Sequence, residues 1–271
     1  EEIMMKIGFI GLGNMGGSIA HLVAQDERFR SELLLANRSR DKAEKIAAEV
    51  GGQPVSNEEV FAQAEVIFLG IKPAQFADLL AEYQEILEKR ESILLVSMAA
   101  GLPLMLLEKL TPSHHRWIRI MPNTPVAVGE GIISYALSQQ ANQADEELLR
   151  ELLSSAGLLV KLEEKQLDAA TALAGCGPAF VYLFIEALAD AGVRAGLSRD
   201  ISLELANQTL LGAAKLSQVS GQHPAELKDQ VCSPAGSTIA GVASLEENAF
   251  RGTVMDAVQA AYKRTQELGK K

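Results

Sequence analysis

"KIGFIGLGNMGGSIAHLVAQ", Lys6 to Gln25, opens as a short apolar run, breaks into glycines and then takes up helical spacing. Glycine weakens both strands and helices, so Gly11, Gly13, Gly16 and Gly17 clustered at the handover need a reason. A bound pyrophosphate supplies one. The first glycine permits a tight turn, the second lets backbone approach the phosphates, and the third lets the helix pack close to the strand. An ordinary glycine-rich turn reads the same way in isolation, so the surrounding chain has to decide.

Working outward, apolar runs recur at 6–11, 32–36, 66–70, 93–98, 117–121, 131–135 and 158–162, with amphipathic helix-length stretches such as 40–50 and 73–89 between them. That alternation predicts a doubly wound, mainly parallel sheet with helices on both faces, an α/β fold. Ligands of such sheets bind beyond the carboxyl ends of the strands, which is where Gly11–Gly16 falls. After about Lys165 the alternation stops and the pattern is helical, over 178–191, 198–219, 224–231, 238–248 and 252–268. Pro178, Pro224 and Pro234 fall near the expected helix starts. Small-residue helices such as "NQTLLGAAKLSQ" predict close packing, within the chain or across a subunit interface.

The chain of 271 residues is 48% hydrophobic and 22% charged, enough core for one large domain or two ordinary ones. Acidic residues outnumber basic ones by 35 to 25, a formal charge of −10, and there is no basic run. Nucleic acid and anionic membrane surfaces are therefore not expected partners. Cys176 and Cys232 lie far apart without metal-ligand spacing, and are expected as reduced, buried thiols of a cytoplasmic protein with no bound metal. The opening Glu1-Glu2-Ile3 is unlike a secretory signal, and Met4-Met5 marks an expected natural start. The longest apolar helix, "PAFVYLFIEALADAG", reads as too short to span a membrane and carries Glu186 and Asp190.

The second strand ends in "LLLANRSRDKAEK". Where an NAD-selective fold places an acid for the ribose hydroxyls, this chain has Asn37, followed by Arg38, Ser39 and Arg40. Guanidinium and hydroxyl groups suit a 2′-phosphate that a carboxylate would repel, so the pattern favours NADP. Two arginines opening a helix as mere solvated charges would sit badly against its dipole. Ile71-Lys72-Pro73 after the third strand and Met98-Ala99-Ala100 after the fourth fit the same pocket, the small residues admitting a flat nicotinamide. Lys72 reads equally as a solvated loop lysine.

His21, His114, His115 and His223 have no metal-protease spacing or obvious acid partner, and are expected as structural or surface groups. No G-x-S-x-G elbow supports a hydrolase. A second dense polar cluster is "VCSPAGSTIAGVASLEEN", from Val231 to Asn248, where Ser233, Gly236, Ser237 and Thr238 lead into a helix. Free N–H groups there suit a carboxylate, although serine and threonine are also common helix caps.

Taken in order, "KIGFIGLGNMG", "LGIKP", "VSMAAG", "RIMPNTP", "TALAGCGPAF", "LLGAAKL" and "SPAGSTIAG" resemble the pyrroline-5-carboxylate reductase family over essentially the whole chain. "RIMPNTP" and "SPAGSTIAG" are far more specific than the glycine motif. The resemblance implies a Rossmann-type NADP-binding domain at 1–165 and an all-α substrate-binding and dimerisation domain at 166–271. It implies homodimers with interlocked C-terminal helices, or rings of such dimers, whose active site draws helices from two chains. The implied cofactor contacts are Ile10, Gly11, Leu12, Gly13, Asn14 and Met15, then Asn37, Arg38, Ser39 and Asn57, then Ile71, Lys72, Pro73, Met98, Ala99 and Ala100. The implied substrate loop is Ser233 to Thr238, with Ser233, Gly236 and Ser237 holding the substrate and the Thr238 hydroxyl facing its nitrogen.

The implied reaction reduces the cyclic imine L-1-pyrroline-5-carboxylate to L-proline with NADPH, and NADH serves some members of the family. Ala235 and Ser237 depart from the usual S-P-G-G-T-T loop, Gln230 replaces an asparagine, and Cys176 stands between two glycines where serine is common. A β-hydroxyacid dehydrogenase shares the two-domain plan but uses a lysine where this chain has Val181. A non-enzymatic NADP-binding regulator is the remaining alternative, and the intact "SPAGSTIAG" loop argues against it.

Overall fold

Residues 5–268 of the computed structural model are described; Glu1-Glu2-Ile3 and Met4, and the reading made of them, lie outside the described residues. Eight strands form one sheet: β1 Ile7–Ile10, β2 Leu33–Ala36, β3 Gln53–Pro54, β4 Val66–Leu69, β5 Leu94–Ser97, β6 Arg116–Pro122, β7 Gly131–Leu137 and β8 Gly157–Lys161. The order is β3-β2-β1-β4-β5-β6-β7-β8. Every neighbouring pair is parallel except β6 with β7, which runs antiparallel.

β1, β2, β4 and β5 are buried along their whole length, as continuous apolar strings must be when helices cover both faces. Alternation sorts their side chains into two cores. Ile7, Phe9, Val66, Phe68, Leu94 and Val96 join one cluster with Ile19, Leu22 and Ile46, and Phe9 stacks on Phe68 at 4.9 Å. Ile10, Ile67, Leu69 and Leu95 join the other with Val60, Phe61, Leu80, Trp117 and Leu167.

The expected strands all form, with ends shifted by a residue or two. The added one is β3, two residues long and containing a proline, too short to leave a pattern. The expected helix at 40–50 is Arg40–Val50, closed by Gly51 in the left-handed region at φ 82°. The stretch 73–89 breaks into a 3₁₀ turn Pro73–Gln75 and two short helices, Phe76–Glu82 and Gln84–Lys89. Asn57–Gln63 is a further helix, started by a reciprocal box in which Ser56 and Glu59 each bond the other's backbone. It lies directly on β1, because a Cβ at Gly8 would overlap the Val60 side chain.

Backbone packing divides the chain into two units, one running to Gly175 and taking in the chain from Ala261, the other Cys176–Ala260. The second unit is built on the helices Gly177–Arg194, Arg199–Ser220, Pro224–Gln230 and Ser237–Glu247 and the start of Phe250–Leu268. Its first two helices approach closely where a Cβ on Gly192 would lie 2.6 Å from the Ser202 hydroxyl oxygen.

Two expectations are corrected here. The apolar helix is preceded by helical turns, so that Glu164–Arg194 is 31 residues of helical chain, long and apolar enough by length and composition alone to cross a membrane. Cys176 and Cys232 are free but half-buried, not enclosed as expected, since the single chain leaves most of the helical unit exposed.

Candidate active site

Three glycines carry the approach of β1, its following helix and β4. Gly11 has φ +90°, and a Cβ there would lie 2.7 Å from the Gly70 carbonyl oxygen. A Cβ at Gly16 would overlap the Gly11 carbonyl oxygen, and one at Gly70 would sit 2.5 Å from the same atom. A Cβ at Gly17 would lie 3.3 Å from the Ile46 Cδ1 of the Arg40–Val50 helix. Gly13 differs, with nothing within 4 Å. Gly11, Gly16, Gly17 and Gly70 therefore serve packing, and Gly13 leaves open space before the helix Asn14–Val23, whose N-terminus has no side-chain cap and no acidic residue in its first turn. Orphan N–H groups facing open space form an anion site.

That loop borders a cavity of about 620 Å³ that brings together Ile10, Gly11, Gly13, Asn37, Arg38, Ser39, Asn57, Ile71 and Lys72 of the expected cofactor residues. Asn37 holds the loop: its Oδ1 accepts from the Leu12 N–H at 3.0 Å and its Nδ2 donates to the Ser39 carbonyl at 3.1 Å. Arg38 has no ion pair among the described residues, whereas Arg40 bonds Glu44 one turn along its own helix at 2.9 Å. Ser39 caps that helix by position without a side-chain bond, which leaves its hydroxyl available.

The other expected cofactor residues lie elsewhere. Leu12 and Ala99 are buried in the two cores, Asn14 and Met15 open the first helix, and Pro73 opens the 3₁₀ turn. Met98, Ala99 and Ala100 follow the end of β5, and a Cβ on Gly70 would meet the Met98 methyl at 3.1 Å. Reading the chain alone missed Gly70, Gln75, Asp78, Leu79 and Glu82 of the lining. The last four recur at one-face helical spacing within 73–89, the signal that was there to use.

All four histidines bond within the chain, and the expected lack of an acid partner is corrected at His21, which pairs with Glu49 at 2.9 Å. His115 is 2% exposed; its Nδ1 accepts from the Ile93 N–H and its Nε2 donates to the Leu87 carbonyl. Burial holds its pKa below the usual histidine value, and the neutral ring satisfies both bonds. His21 bonds Gly17 and Glu49, His114 the Arg90 carbonyl, and His223 caps the helix at Pro224.

In the helical unit, Ser233 to Gly236 forms a turn closed by the Gly236 N–H to the Ser233 carbonyl at 3.0 Å. Ala235 takes φ 55°, a left-handed conformation that explains why glycine is usual there. The helix Ser237–Glu247 starts on Gly236 with no side-chain cap. Ser237 and Thr238 are thus inside the helix, not caps, and its first N–H groups stand free. Gln230 bonds Gln222 at 2.9 Å and is exposed.

A doubly wound sheet with a glycine loop at its carboxyl edge, an anion-ready helix end and a cavity bordered by Arg38 and Ser39 defines a dinucleotide-binding domain. Residues 6–101 match the family described as "NADP oxidoreductase coenzyme F420-dependent", and 164–268 match "pyrroline-5-carboxylate reductase dimerisation". The chain is 45% identical to a pyrroline-5-carboxylate reductase of Glycine max, over 97% of this chain and 95% of that one. Among solved structures it resembles the Plasmodium falciparum pyrroline carboxylate reductase with NADP bound, with TM-score 0.86 and 37% identity over 98% of each chain. It also resembles a pyrroline-5-carboxylate reductase of Coxiella burnetii, with TM-score 0.89 and 30% identity over 98% of each chain. The chain belongs to the pyrroline-5-carboxylate reductase family. The apolar run Glu164–Arg194 opens the dimerisation match.

Proposed function

We infer that this chain reduces L-1-pyrroline-5-carboxylate to L-proline, the last step of proline formation, with NADPH as hydride donor. The observation that carries the substrate side is the uncapped start of the helix Ser237–Glu247, whose free N–H groups and adjacent hydroxyls suit a carboxylate. NADPH supplies a hydride to the carbon of the protonated imine, which is already electrophilic, and the product is the secondary amine. The protein then needs no strong acid or base, in keeping with its structural histidines. Its task is to orient the two partners.

On this reading residues 1–165 hold the cofactor and 166–271 hold the substrate and dimerise. Ser233, Gly236 and Ser237 bind the carboxylate, and the Thr238 hydroxyl bonds the ring nitrogen and keeps its proton in place. Gly11 to Met15 cradle the pyrophosphate, Arg38 and Ser39 take the 2′-phosphate, and Met98-Ala99-Ala100 border the nicotinamide. The exposed apolar side chains of the helical unit, among them Tyr182, Leu183, Leu205, Leu211 and Leu216, support a homodimer with interlocked helices. Rings of dimers and a cytoplasmic location complete the reading, the latter supported by the two free thiols. Purified chain mixed with NADPH and pyrroline-5-carboxylate should lose NADPH absorbance and yield proline. No turnover across pH and salt would leave only an NADP-binding regulator.

A further inference from the structure

Two buried polar side chains, Arg119 in β6 and Asn123 just after it, are not among the residues that border the cofactor cavity. Arg119, in β6, is 3% exposed and lies opposite Ser97 of β5. Its NH1 donates to Glu164 at 3.2 Å and its NH2 pairs with Asp168 at 3.6 Å. Glu164 Oε1 also accepts from the Leu104 N–H at 2.6 Å, in the stretch that follows Met98-Ala99-Ala100. A buried arginine is costly unless neutralised, so its charge fixes where Glu164 and Asp168 must lie.

Four residues further on, just past the end of β6, Asn123 is 7% exposed and fully engaged. Its Oδ1 accepts from the Ile132 N–H at 2.8 Å and its Nδ2 donates to the Ala174 carbonyl at 3.0 Å. Its backbone N–H bonds the Ile132 carbonyl at 3.1 Å. Ala174 lies in a π-helical turn, Thr171–Gly175, a form that exposes poorly paired carbonyls and recurs at functional sites. Gly175 is also where the sheet-bearing unit ends and the chain passes to the helical unit.

We propose that Asn123 is a positioning residue for the reaction, with Arg119 as its support: together they lock the π turn Thr171–Gly175 onto the carboxyl edge of the sheet. Asn123 acts through Ala174, because every polar atom of its side chain is committed within the protein. Its job is to hold that turn in one place against the end of β6. The proposal rests on the reading that the cofactor is held before this turn and the substrate loop lies after it. That reading is tested separately by turnover of the unaltered chain.

The test compares Asn123→Asp and Asn123→Ala in the full-length protein, reading kcat, KM for the imine, NADPH Kd and sedimentation. Asn123→Asp keeps an acceptor for Ile132 and loses the donor to Ala174. Both variants should remain dimers with NADPH Kd unchanged and lose about tenfold or more in kcat, as expected when orientation rather than affinity is damaged. On acidification the Asp variant should recover relative to the Ala variant, because a protonated carboxyl can again donate to the Ala174 carbonyl. Thr171→Val removes the Thr171 bond to the Leu167 carbonyl without touching the sheet. It should lower kcat in the same direction by about threefold, the cost of one neutral hydrogen bond, and it serves if the Asn123 variants do not fold. Unchanged kcat in the variants that fold, or a kcat loss matched by lost NADPH affinity, would overturn the proposal.

Discussion

The two units bury their apolar residues in opposite ways. In the sheet unit, Phe9, Phe61, Phe68, Phe76, Trp117 and Tyr135 are each enclosed, and two cores fill both faces of the sheet. Between Cys176 and Ala260 only Ala189, Ser202 and Ala206 are buried, while Tyr182, Leu183, Leu205, Leu211, Leu216, Val219 and Met255 are open. At roughly 25 cal/mol per Å² of apolar surface, the first arrangement supports itself and the second leaves most of its stabilisation unrealised in a single chain. The sheet unit is a completed core. The helical unit leaves its apolar faces open.

The sharpest way to break this contrast is to separate the two. Residues 166–271 alone should fail to give a folded monomer, and at micromolar concentration the full chain should sediment as a dimer or larger. A well-folded, monomeric and fully active chain would defeat the shared core. The next test stays inside the sheet unit, where Gly13 and Gly16, three residues apart, do different jobs. Gly16→Ala forces a Cβ onto the Gly11 carbonyl oxygen and should destabilise the unit by about 2 kcal/mol or more. Gly13→Ala meets no protein atom, so thermal stability should hold while NADPH affinity falls about tenfold or more through the crowded pyrophosphate. Equal thermal stability losses for both would remove the distinction between packing glycine and cradle glycine.

A smaller effect is expected at the 2′-phosphate. Arg38→Ala should weaken NADPH by about tenfold and NADH hardly at all, since a charge-assisted bond contributes roughly 1.5–3 kcal/mol when desolvated and less at an exposed loop. Arg40→Ala should do less, because that guanidinium already bonds Glu44. Equal losses for both nucleotides would take Arg38 out of the discrimination.

How much of this was legible in the chain follows the same division. The strands of the sheet stood out because burial on both faces writes itself as unbroken apolar runs, and Arg40–Val50 stood out by its amphipathic spacing. Asn57–Gln63 was missed although Ser56 and Glu59 spell its capping box, and the break at Tyr83 inside 73–89 has no local breaker residue. In the site, Gly11, Gly13 and Gly16 were readable from spacing. Gly70 was not, because its constraint is the Gly11 carbonyl, a partner distant in sequence. Asn37 was read only as a cofactor contact, and its bonds to Leu12 and Ser39 give it the added task of bracing the loop. Arg119 and Asn123 sat inside "RIMPNTP" without a separate role, because their partners Glu164, Asp168 and Ala174 lie more than forty residues away. The exposed helical faces were ambiguous in pattern between an inner core and an interface, since both bury the same residues.

The central claim is that the sheet unit holds the cofactor and the loop at Thr238 holds the reacting nitrogen. It is tested most directly by the steady-state kinetics of Thr238→Ala and Thr238→Ser. Loss of one neutral hydrogen bond that strengthens in the transition state should cost roughly 5- to 30-fold in rate, and about 100-fold or beyond if the hydroxyl is an obligatory proton donor. Thr238→Ser restores a hydroxyl and should recover much of the loss, with NADPH affinity unchanged in both variants. If Thr238→Ala keeps normal turnover and normal affinity for the imine, the hydroxyl does not face the reacting nitrogen, and the assignment of the substrate loop is contradicted.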